Sequence, residues 1–145
     1  DAFMEIDEEM IPTGRKMMVE GTPMDFRRAK SIFRDIDADD AQINIAGGYD
    51  HNFVINGNGF RKFAELSTTV DGVWMRAYTD RPCVQFYSGN FLGKIAVHGG
   101  VIIGKRCGLC LETQGYPNLK QTCLKRARNI ARKRSFYSAN FVKKV

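Results

Sequence analysis

Glu112 stands inside Leu109-Cys110-Leu111-Glu112-Thr113-Gln114, an otherwise apolar, β-prone run. A carboxylate there is costly to bury ionised unless it is paired or hydrogen-bonded. Work as a general base would account for it, and so would a salt bridge to one of the arginines or exposure on an edge strand; the strand pattern does not choose among them. Gly47-Gly48-Tyr49-Asp50-His51-Asn52-Phe53 gathers polar and aromatic groups at the mouth of a strand, a composition that can hydrogen-bond a polar ligand while stacking on it. It equally suits a turn in which Asp50 and Asn52 bond to local backbone and His51 is packed. Gln85, between Val84 and Phe86-Tyr87, poses the same choice between ligand and solvent.

The other reactive groups are less organised. Of the four cysteines, only Cys107 and Cys110 have a ligand-like spacing, and no second pair or suitably spaced histidine completes a zinc site. We therefore expect no zinc site, with reduced thiols of the kind usual in the cytoplasm. His98-Gly99-Gly100 reads as a turn, and Gly57-Asn58-Gly59 lacks the strand-to-helix context of a phosphate loop.

Positioning these groups falls to short strands. Ala2-Phe3-Met4-Glu5-Ile6 opens as one. Phe53-Val54-Ile55 meets the turn-forming Asn56-Gly57-Asn58-Gly59, and Val73 to Thr79 leaves the hairpin dipeptide Asp71-Gly72. Val84 to Tyr87, Val101 to Ile103 and Leu109 to Gln114 complete the set. Such spacing predicts an all-β, antiparallel sandwich or barrel rather than βαβ units. Two-residue periodicity sends Leu109, Leu111 and Thr113 to one face and Cys110, Glu112 and Gln114 to the other. Residues 15 to 45 read as a long connection with a helical turn or two between Ala29 and Ile36, and Leu119 to Arg134 as a basic amphipathic helix.

The chain is 145 residues long, enough for one domain or part of one. Its net charge of +6 sits in residues 119–145, which hold nine of the 22 basic side chains and no acid; residues 1–118 carry 13 basic and 16 acidic groups. A basic run of this kind is more often a solvated face than a nucleic-acid or membrane surface, and no apolar run approaches the roughly 18 residues of a membrane span. The opening on Asp1, inside a strand, predicts that sequence is missing upstream. A sheet cut in this way leaves strand edges prone to self-association.

Three segments, in order and spacing, resemble the hallmarks of the aldose 1-epimerase (galactose mutarotase) family: Gly48 to Phe53, Val84 to Leu92, and Gly108 to Gln114. Ile11 to Gly14 and Val19 to Arg27 are similar to the stretch upstream. The resemblance covers roughly residues 2 to 118 and implies a partial galactose mutarotase-like supersandwich at 1–118, followed by a divergent tail at 119–145. It further implies interconversion of the α and β anomers of galactose and glucose in the cytoplasm without metal or cofactor, with Glu112 as the general base and Asp50 and Gln85 as binders of sugar hydroxyls. His51 and His98 match neither family histidine, and the proton donor belongs to a part of the family that precedes these motifs. The expectation is a mutarotase fragment inactive alone; the alternative is a non-catalytic carbohydrate-binding or interaction module.

Overall fold

The computed structural model describes residues 1–68 and 72–117 in full and the backbone of 139–142. Among the described residues ten strands form, with one short helix and one 3-10 turn between them. Six strands make a single sheet: β1 (Ala2–Ile6), β2 (Pro12–Met18), β3 (Asp50–Val54), β6 (Cys83–Tyr87), β9 (Gly108–Gln114) and β10 (Ala139–Val142). Their order is β10-β9-β6-β3-β1-β2 and every pairing is antiparallel. Two ribbons lie outside it, β4 (Arg61–Ser67) with β5 (Trp74–Thr79) and β7 (Ile95–Ala96) with β8 (Ile102–Ile103). The all-β antiparallel expectation holds, and the main sheet is one layer of a partial sandwich.

Alternation decides the two faces of that layer. Phe3, Phe53, Phe86, Leu109 and Leu111 point to one side, where the segment 19–49 packs on them through Val19, Met24, Phe26, Ile36, Ile43 and Tyr49. Tyr49 stacks on Phe86 at 5.2 Å between ring centroids, and Phe26 meets both rings edge-on. The covering layer here is thus an irregular segment with an aromatic core rather than a second large sheet.

That segment corrects one expectation. Residues 15–45 are not all connection, because Arg15 to Met18 belong to β2, paired with β1. Pro12-Thr-Gly-Arg-Lys has no apolar alternation to announce a strand; an edge strand with one exposed side does not require it. The helical turn foreseen between Ala29 and Ile36 is the 3-10 turn Ile32–Arg34. A helix α1 (Ala41–Ala46) follows, with Asp40 accepting from the Gln42 and Ile43 backbone N–H groups at its start and Gly47 in the left-handed conformation at its end. Residues 139–142 extend the sheet beside β9, while the helix expected over 119–134 lies outside the described residues. Among the described residues no helix is long and apolar enough to cross a membrane.

Candidate functional site

The three motif segments become three adjacent strands, β3, β6 and β9, at the centre of the sheet. Register brings their polar residues to the face opposite the aromatic core. Gln85 lies directly across from Glu112 on one side and Asn52 on the other, while Asp50 pairs with Tyr87 and Tyr87 with Cys110. Gln85 Nε2 donates to Asp50 Oδ1 at 2.8 Å. Glu112, Gln85 and Asp50 therefore share one surface about 10 Å wide, two strand spacings across.

A buried polar knot holds the strand ends that carry these groups. The Ser88 hydroxyl accepts from the Tyr49 backbone N–H at 3.0 Å and reaches Asn90 Oδ1 at 2.7 Å, and Asn90 Nδ2 donates to the carbonyls of Ala46 and Tyr49, each at 3.0 Å. The knot ties the start of β3 to the end of β6, so Asp50 and Gln85 keep their register. Gly48 makes room for it: a Cβ there would lie 2.4 Å from Asn90 Oδ1. Arg106 adds a clamp from the turn before β9, gripping the Asp37 carboxylate with two nitrogens at 2.7 and 2.6 Å and the Gly47 carbonyl at 3.0 Å.

The environments of the candidate residues differ. Glu112 is exposed, paired with Gln85 on one side and one residue past the last β10 pairing at Leu111 on the other, and forms no ion pair among the described residues. Asp50 is half-buried, and burial pushes its carboxyl above the usual range, against the bond from Gln85. Burial also raises the Cys110 thiol, with the Glu112 and Asp50 carboxylates adding to the effect, so all three share one electrostatic neighbourhood. Across the sheet, Lys16 Nζ lies 3.3 Å from the Tyr116 hydroxyl and 4.6 Å from its ring centre. No apolar alternation marked Lys16 in advance.

His51 points the other way. It is fully buried edge-on against Phe3, its ring centroids 5.6 Å apart, and burial lowers its pKa to about 4. It is a packed core histidine, as the turn reading had it. That reading does not extend to its neighbours: Asp50 accepts from Gln85 rather than from local backbone, and Asn52, 2% exposed, has no partner for either amide atom among the described residues. An amide buried in this way costs about 1–3 kcal/mol. His98 sits in the β7–β8 turn, where the Val97 N–H bonds the Val101 carbonyl.

Comparison with known proteins agrees with this arrangement. The family model described as aldose 1-epimerase matches residues 1–122. Human galactose mutarotase is 37% identical over 120 residues, and aldose 1-epimerase of Escherichia coli K12 is likewise 37% identical over 120. Each match covers 81% of this chain and 34% of the relative, so the chain spans about a third of their length. The crystal structure of galactose 1-epimerase from Lactobacillus acidophilus NCFM superposes with a TM-score of 0.59 at 28% identity, covering 81% of this chain and 33% of that one. With the three motif strands adjacent and their polar residues on one face, the chain belongs to the aldose 1-epimerase family.

Proposed function

We propose that residues 1–118 carry the base side of a mutarotase site, in which Glu112 is the general base and Asp50 and Gln85 hold the hydroxyls of an aldose such as galactose or glucose. The observation that carries this is the central place of Gln85, across from Glu112 in register and hydrogen-bonded to Asp50. Hydrogen-bonding groups on both sides of one glutamine fix a sugar ring laterally, and an exposed carboxylate at the end of the row is free to meet its anomeric hydroxyl.

Glu112 takes the proton of the anomeric hydroxyl while an acid protonates the ring oxygen, and the C1–O5 bond breaks to give the open aldehyde. Rotation about C1–C2 presents the other carbonyl face, and closure returns both protons in the opposite sense. No metal or redox group enters the balance. The acid is the missing part: His51 faces the aromatic core and His98 lies in the β7–β8 turn. The 145 residues alone are therefore inactive or nearly so. A cytoplasmic setting suits the unbridged Cys83 and Cys107.

Anomer exchange of galactose followed by NMR tests the reading. The expected result is no acceleration above the buffer rate; robust exchange by this chain, abolished by Glu112→Ala, would overturn the claim that the acid is missing. The burial of His51 also favours a second reading, a non-catalytic carbohydrate-binding module. Galactose would then shift resonances around Asp50 and Gln85 without turnover in any combination with other family segments.

A further inference from the structure

Asn52 is a buried group on the candidate sugar face whose polar atoms the fold leaves unused among the described residues. Its side chain is buried, and neither Nδ2 nor Oδ1 has a hydrogen-bond partner among the described residues. A leucine of similar size would fill the same space without two unsatisfied polar atoms, so packing does not explain an amide here. Register places it directly opposite Gln85, where cross-strand Cβ atoms lie about 4.5–5.5 Å apart, within reach of the two amides. Gln85 spends Nε2 on Asp50, and its Oε1 accepts no hydrogen bond among the described residues.

We infer that Asn52 is a positioning residue for Gln85: turned about its last side-chain bond, its Nδ2 donates to Gln85 Oε1, so that Asn52, Gln85 and Asp50 form one hydrogen-bonded chain. That torsion is broad and two-fold, so the turn is easy. The chain has one direction. With Oε1 held by Asn52, the Gln85 amide cannot flip, and Nε2 stays aimed at Asp50 and at any hydroxyl bound beside it. Asn52 then acts on the sugar only through Gln85, and this last step rests on the sugar-site reading above.

The test is side-chain amide NMR on the full 145-residue protein with Asn52→Leu, and with Asn52→Ala in case the larger residue does not fit. In the sugar-free protein, either folded variant should shift the Gln85 Nε2 proton pair and speed its exchange with water, while amides remote from Gln85 stay in place. Unchanged Gln85 resonances in a folded variant overturn the inference. Galactose titration is the second arm: Asn52→Leu should raise the dissociation constant about tenfold with no loss of thermal stability. Equal affinity in variant and parent also overturns it. Should the parent itself ignore galactose, the sugar-site reading falls, and the sugar-free Gln85 signal still decides the role of Asn52.

Discussion

Gly48→Ala is a sharp perturbation of the site's frame, because space and backbone act together there. Gly48 has φ +137°, and an added Cβ would lie 2.4, 2.9 and 3.1 Å from Oδ1, Cγ and Nδ2 of Asn90. Asn90 cannot step aside cheaply, since Ser88 and the carbonyls of Ala46 and Tyr49 hold its amide. The backbone strain costs about 1–3 kcal/mol and the collision about as much again. Its neighbour Gly47 supplies the control: φ is +62°, and nothing lies within 4 Å of its added Cβ. Gly47→Ala should therefore cost only about 1–2 kcal/mol, the backbone part alone. Urea unfolding at neutral pH measures both variants, and the midpoint of Gly48→Ala should fall by roughly 1 M more than that of Gly47→Ala at an unchanged slope. If the two substitutions cost the same, the Ser88–Asn90 knot does not hold the start of β3, and the account of how Asp50 is positioned fails.

Three further outcomes follow from the same structure. Burial lowers the His51 pKa to about 4, below an unfolded value of about 6.5, so the unfolded chain binds the extra proton; stability should fall by about 3 kcal/mol as pH drops through that window, and His51→Gln should flatten the profile of unfolding midpoints. Lys30, its side chain 3% exposed, is held by Asp35 at 2.7 Å and the Pro23 carbonyl at 2.6 Å, so Asp35→Ala should cost about 2–3 kcal/mol in urea unfolding; a cost below 0.5, as for an exposed pair, would show the cation to be solvated. Cys83 is fully buried and its thiol is raised by burial, so a thiol reagent followed by mass spectrometry should label Cys107 before Cys83 in the native protein.

Much of the sheet was legible because its strands alternate. Phe53-Val54, Val84 to Tyr87 and Leu109 to Gln114 each show the side chains that one buried face demands, and the structure pairs them as β3, β6 and β9. Strand β2 was not legible: it is an edge, its side chains are mostly exposed, and Arg15 and Thr13 reach the Glu5 carboxylate instead of a core. Helix α1 has only six residues, too few for a periodic signal, and is fixed by the Asp40 cap and the Gly47 stop.

For the site, the residue types and the two-residue period determined that Glu112 and the core leucines take opposite faces, and the family motifs named Asp50 and Gln85 beside it. Only the tertiary structure decided that these residues meet. Pairing register is a long-range property, set here by a buried knot between residues about 40 positions apart, and it alone places Gln85 between Glu112 and Asn52. It also turns His51 into the aromatic core while its two neighbours face the site, because adjacent residues of a strand point to opposite sides.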